Sequence, residues 1–154
     1  MASKPPVLII TGYGVNCEAE SRFAWEMAGA EPRLIHLHDL LAEPGRLKEF
    51  KALMFIGGFS FGDHMGSGHV LALRLRHRLR NELQAFIEEG NLILGVCNGF
   101  QVMVKLGLLP GLDGDYFTQK IALLPNDCGV FQNFWVHLRF EAASPCIFTR
   151  GLGP

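Results

Sequence analysis

The chain has 154 residues, 49% of them hydrophobic and 19% charged, which is too apolar for a disordered segment and the right size for about one domain. Its 14 Lys and Arg against 15 Asp and Glu leave a formal charge of −1, so no overall field draws it to nucleic acid or an anionic membrane. No apolar run reaches the roughly 18 residues needed to cross a bilayer, and the opening Met1–Pro6 lacks the flanks of a secretory signal, so a soluble, cytoplasmic protein is expected. The four cysteines, Cys17, Cys97, Cys128 and Cys146, contain no Cys-x-x-Cys pair; reduced thiols are expected, with no metal site and no cofactor.

In chain order, Val7–Thr11 is a short apolar run stopped by Gly12 and Gly14 and predicts a buried strand. Glu18–Ala28 predicts a helix with Phe23, Ala24 and Met27 on its apolar face and Gly29 as its stop. A second strand is predicted over Arg33–Leu37, a helical turn over Leu47–Phe50, and a third strand over Ala52–Ile56, ending in Gly57-Gly58. Leu71, Leu75, Leu79 and Leu83 recur every four residues ahead of Phe86 and Ile87, which predicts one long amphipathic helix ended by Gly90-Asn91. Leu92–Val96 then predicts a fourth buried strand, and Gln101–Leu106 a helix closed by Gly107. After Pro110 the pattern loosens into turns, and the alternation over Phe134–Phe140 suggests a further strand. Strands alternating with helices predict an α/β fold, a mostly parallel sheet with helices on both faces. The turn-like end, Gly151-Leu152-Gly153-Pro154, suggests that residues 1–154 are one domain whose carboxyl-terminal part is missing.

The segment Gly95-Val96-Cys97-Asn98-Gly99 joins a buried strand to a helix in the pattern of a nucleophile elbow. The flanking glycines permit a tight, strained turn with close backbone approach, leaving the Cys97 sulfur at the carboxyl edge of the sheet, where the positive end of the helix favours thiolate. The N–H of Asn98 then faces a developing oxyanion. A cysteine at a strand end is otherwise a packing residue. Gly57-Gly58-Phe59-Ser60-Phe61-Gly62-Asp63 forms a second glycine turn at the same edge: either a plain turn, or one in which the Gly58 N–H is the other oxyanion donor. On the second reading, a side chain at Gly58 is expected to impair catalysis more than folding.

These two turns together, with Gly14-Val15-Asn16-Cys17-Glu18 before them and Trp135-Val136-His137-Leu138-Arg139 after, closely resemble the glutaminase component of phosphoribosylformylglycinamidine synthase, a class I glutamine amidotransferase of purine biosynthesis. The resemblance covers nearly the whole chain. It implies a flavodoxin-like fold and glutamine hydrolysis by a Cys-His-Glu triad. Ammonia would then pass to a synthetase subunit or domain that binds ATP and formylglycinamide ribonucleotide. By position it makes Cys97 the nucleophile, Gly58 and Asn98 the oxyanion donors and Gln101 a contact for glutamine. The chain departs from the family at Val130 and Phe134, where arginines are usual. It also contains no His-x-Glu, the family's remaining triad pair, so the 154-residue chain is expected to be inactive. The alternatives are a non-catalytic module that binds a synthetase, and a DJ-1-like or peptidase-like cysteine-elbow protein.

Other features read as structural. His36 and His38 would share one face of a strand, but no third ligand is near in sequence. The basic run Arg74–Arg80 reads as a solvated helix face that docks the synthetase. Asp63 takes a supporting, capping role in its turn. His64, His69 and His137 are the candidates for a substitute base, with His137 placed as structural.

Overall fold

The computed structural model describes residues 3–152, and internal contacts divide the chain into two units, Met1–Leu123 and Leu124–Pro154. In the first unit four strands, β1 (Pro6–Thr11), β2 (Glu31–His36), β3 (Ala52–Phe55) and β4 (Leu92–Gly95), form one sheet in the order β2-β1-β3-β4. Every pairing is parallel, with Ile9 opposite Leu34 and Met54, and Met54 opposite Leu94. The helices are α1 (Glu18–Met27), α2 (Leu37–Ala42), α3 (His69–Glu88) and α4 (Asn98–Leu106). This is the parallel α/β arrangement expected from the alternation of elements, with the flavodoxin-like form that the resemblance implied.

Because successive strand residues point to opposite faces, the sheet feeds two layers. Leu8, Ile10, Leu53 and Phe55 join Leu71, Leu75, Leu79, Leu83 and Phe86 of α3 and Val102 and Leu106 of α4 in the main core. On the other face Val7, Ile9, Ala52 and Met54 pack with Trp25 of α1. The four-residue leucine repeat of α3 is thus buried as its spacing demands. The apolar face predicted for α1 is not: Phe23 is 62% exposed and Met27 74%, and Ala24 is exposed too. The helix instead turns Ser21 and Trp25 inward, and the Trp25 indole N–H reaches Met54 Sδ at 3.0 Å. One large ring that fills the sheet surface and finds an acceptor decides the rotation over smaller apolar groups.

In Leu124–Pro154 the described residues form turns only. The strand expected over Phe134–Phe140 has no ladder partner among the described residues, and Trp135 and Leu138 are exposed. Alternation marks a chain able to pair, but a strand exists only where a neighbouring backbone accepts its hydrogen bonds.

Gly99 shows how tightly α4 sits on the sheet. A Cβ there would collide with the Phe55 carbonyl and lie 2.8 Å from Phe55 Cβ. Gly99→Ala is expected to cost about 3 kcal/mol as an overpacked contact against backbone. Gly45→Ala, where a Cβ meets nothing within 4 Å, serves as the neutral control. Urea denaturation midpoints compare the two, and equal midpoints would refute the close packing.

Candidate active site at the carboxyl edge of the sheet

Strand order reverses between β1 and β3, and open α/β sheets present their ligand crevice beyond the carboxyl ends of strands at such a point. Three loops meet there. The loop after β1 pairs with the turn after β3: Asn16 N–H donates to the Gly57 carbonyl at 2.8 Å, and Phe59 N–H to the Gly14 carbonyl at 2.8 Å. This short antiparallel bridge is centred on Val15 and Gly58. Gly58 sits at φ +109°, and a Cβ there would fall 2.6 Å from Asn16 N and 2.7 Å from the Gly14 carbonyl oxygen. Any side chain at Gly58 therefore breaks the pairing of the two loops. This corrects the expectation that substitution there would spare folding relative to catalysis.

The third loop carries Cys97, exposed, at φ 53° and ψ −116°, directly before the first turn of α4. Gly95 and Gly99 flank it for steric reasons, since a Cβ on Gly95 would lie 2.8 Å from the Gly99 carbonyl. Six of the eight non-glycine residues with positive φ among the described residues lie in these three loops: Tyr13, Cys17, Phe61, Asp63, Met65 and Cys97. Backbone held in such conformations persists only where its surroundings enforce it, and it clusters at functional sites. Neither the Gly58 N–H nor the Asn98 N–H has an acceptor among the described residues. No hydrogen bond to the Cys97 sulfur occurs among them either.

The side chain of Asn98 was not singled out by the sequence, where only its backbone N–H entered. It is 1% exposed and joins the two edge turns. Its Oδ1 accepts from Ser60 N–H at 3.2 Å, and its Nδ2 donates to Asp63 Oδ1 at 3.2 Å and to Gln101 Oε1 at 3.1 Å. Asp63 in turn accepts from the Ser67 hydroxyl at 3.0 Å, so its role is to brace the turn. The Gln101 amide nitrogen has no hydrogen-bond partner among the described residues. The signal available in advance was a small amide wedged between two glycine turns, which buries only when its hydrogen bonds are met.

The histidines do not assemble into a site. His36 ends β2 and Leu37 starts α2, so His36 and His38 do not share a strand face; His36 Nδ1 accepts from His38 N–H at 3.1 Å instead. Among the described residues no group of three or more His, Cys, Asp or Glu is placed to hold a metal, and no helix is long and apolar enough to cross a membrane. In the basic run of α3, Arg74, His77, Arg78 and Arg80 are exposed as expected, and only Arg76 is partly buried. Arg76 donates to the last carbonyls of α4, Lys105 at 3.0 Å and Leu106 at 2.8 Å. The Arg74 guanidinium lies 4.9 Å from the Phe61 ring centroid. In the second unit, hydrogen bonding by the Val130 backbone and then by the Gln132 side chain holds the Cys128 thiol below its ordinary value.

A strand-to-helix elbow bearing a thiol, set beside a glycine turn at the switch point of a parallel sheet, has close counterparts. Residues 4–153 match the CobB/CobQ-like glutamine amidotransferase domain, and the chain belongs to that family. That membership displaces the DJ-1-like or peptidase-like alternative. Among individual relatives, the chain is 45% identical over 150 residues to the phosphoribosylformylglycinamidine synthase subunit PurQ of Dehalococcoides mccartyi, covering 97% of this chain and 58% of the relative. It is 43% identical over 148 residues to the same-named subunit of Methanococcus maripaludis, covering 96% of this chain and 55% of the relative. A solved structure of PurLQS from Thermotoga maritima superposes with a TM-score of 0.67 at 34% identity, covering 87% of this chain and 54% of that one. The chain therefore spans little more than half the length of the relatives it matches.

Proposed function

We propose that this chain carries the nucleophile of a glutaminase that supplies ammonia to phosphoribosylformylglycinamidine synthesis in the cytoplasm. The observation that carries the reading is the placement of Cys97: exposed, strained, at the amino end of α4 and beside the Gly57-Gly58 turn. Cys97 attacks the carboxamide carbon of glutamine, and the electron pair of the C=O bond moves to oxygen. The free N–H groups of Gly58 and Asn98 hold that oxyanion, and the Gln101 amide positions the glutamine. Collapse expels ammonia and leaves a thioester on Cys97, which water hydrolyses. Protonating the leaving nitrogen and activating the water need an acid–base group, which the family supplies from its His-x-Glu segment. Ammonia then passes to a synthetase partner that binds ATP and formylglycinamide ribonucleotide. The names of the relatives support this assignment of substrate and partner.

A glutamine-shaped chloroketone is expected to label Cys97 first, with free glutamine protecting it. Iodoacetamide is the control for intrinsic thiol reactivity. Because the Cys128 value is lowered, that thiol stays ionised to lower pH and takes iodoacetamide there, without glutamine protection. Peptide mapping distinguishes the two, and chloroketone label on Cys17, Cys128 or Cys146 ahead of Cys97 overturns the assignment.

A further inference from the structure

Cys17 has no part in the chemistry above, yet the fold brings it to the nucleophile. Two backbone bonds do this from opposite sides of β3. Asn16 N–H on the Gly57 carbonyl, 2.8 Å, holds the residue before Cys17. Val96 N–H on the Phe55 carbonyl, 3.1 Å, holds the residue before Cys97. Between them lies Gly57, whose missing side chain leaves the space open. A methyl built there would stand 3.9 Å from Cys17 Sγ and 4.0 Å from Cys97 Sγ, so the two sulfurs flank one small gap. Both thiols are exposed and free, and Cys17, although it precedes α1, makes no side-chain cap.

We propose that Cys17 and Cys97 are a reversible dithiol that reacts with hydroperoxides, Cys97 attacking and Cys17 resolving. The order follows from the helices they precede. The first turn of α1 carries Glu18 and Glu20, which oppose an anion at Cys17, whereas the first turn of α4 carries no acidic residue. The Cys97 thiolate attacks one peroxide oxygen, the O–O bond breaks, and the alcohol or water leaves with a proton. Sulfur is oxidised to the sulfenic acid and the peroxide is reduced. The Cys17 sulfur then attacks Cys97 sulfur and expels hydroxide, which takes the Cys17 proton and leaves as water. In sum, two thiols and one hydroperoxide give a disulfide, an alcohol and water. Bonding requires the sulfurs to close to about 2.05 Å, so the Cys17 turn must shift toward Cys97. The pairing takes the nucleophile out of use under oxidation and spares it from irreversible sulfinic acid.

The test treats the chain with hydrogen peroxide and maps its peptides. The expected product is a Cys17–Cys97 linked pair, lighter by two hydrogens. Dithiothreitol should dissolve it and restore iodoacetamide reactivity at Cys97. In Cys17→Ser, and likewise Cys17→Ala, Cys97 should progress to sulfinic acid that dithiothreitol does not reverse. Sulfinic acid forming at Cys97 equally fast with and without Cys17, or linkage of Cys97 to Cys128 or Cys146 instead, overturns the proposal. None of these readouts depends on whether glutamine is the substrate, which the chloroketone labelling decides separately.

Discussion

The 154-residue chain is expected to accept a glutamine-shaped chloroketone at Cys97 and yet to release ammonia from glutamine at close to the background rate. The two outcomes separate because they draw on different groups. Labelling draws on the exposed sulfur, the helix amino terminus behind it and the proposed oxyanion donors Gly58 and Asn98, which lie in the edge loops. Turnover adds two proton transfers, to the departing nitrogen and from the attacking water, and a positioned acid–base group contributes about 10²–10⁴-fold to such steps. Members of a catalytic triad act as a unit, so loss of the base removes most of the rate even when the nucleophile stays in place. No His-x-Glu occurs in the chain, and among the described residues no hydrogen bond reaches the Cys97 sulfur. Steady-state ammonia release, measured for the chain and for the chain extended by the family's His-x-Glu segment, should differ by at least about 10³-fold. Turnover by the 154-residue chain within ten-fold of the extended one would sink the argument and direct attention to His64, His69 or His137.

The parts of this molecule that were legible in the sequence are those in which a local pattern and the tertiary fold ask for the same residue. The α3 leucines fall on one stripe, and the stripe is buried whatever it packs on. The elbow was readable because two glycines around a cysteine, after an apolar run, leave few other conformations, and the strained Cys97 backbone is the one that results. Where the answer depended on a distant partner, the sequence was mute. Phe23 and Met27 share helical spacing as well as Ser21 and Trp25 do; only the sheet beneath, with Met54 offered to the indole, selects between the faces. Phe134–Phe140 alternates but finds no partner strand among the described residues. Arg74, Arg78 and Arg80 are exposed as their pattern suggested, but nothing local reveals that the carbonyls ending α4 need a donor, which Arg76 provides from 29 residues away. The pairing of the β1 and β3 loops was hidden for the same reason, and with it the approach of Cys17 to Cys97.

Asn98→Ala is expected to leave a folded chain with a badly positioned site. The Asn98 amide holds Ser60 N–H, Asp63 and Gln101 at once, and it is 1% exposed, so water does not replace it. Truncation leaves the buried Ser60 N–H unmatched and removes a donor from the partly buried Asp63 carboxylate, a penalty of about 1–3 kcal/mol in stability. That is a fraction of a usual domain's stability, and the core of α3 and α4 is untouched, so folding survives. The larger effect is on chemistry. Ser60 lies two residues beyond Gly58, and Asn98 is itself the neighbour of Cys97, so this one side chain ties the turn of one proposed oxyanion donor to the proposed nucleophile and to the other proposed donor. Losing one such donor from its place costs about 10²–10³-fold, and loosening the link between the two donors is expected to cost about 10²-fold in the rate of Cys97 labelling by the chloroketone. In the chain extended by the His-x-Glu segment, the same substitution should lower kcat by a similar factor. Gln101→Ala, which removes the proposed contact to glutamine while leaving the Asn98 bonds to Ser60 and Asp63 in place, should act chiefly on KM. A double-mutant cycle of Asn98→Ala with Asp63→Ala completes the test: residues that share a bond are coupled, so the two losses should add to less than their sum. Additive losses, or a folded Asn98→Ala chain that labels at the parent rate, would mean that the amide merely fills space and that the two turns are held in register by the glycine contacts alone.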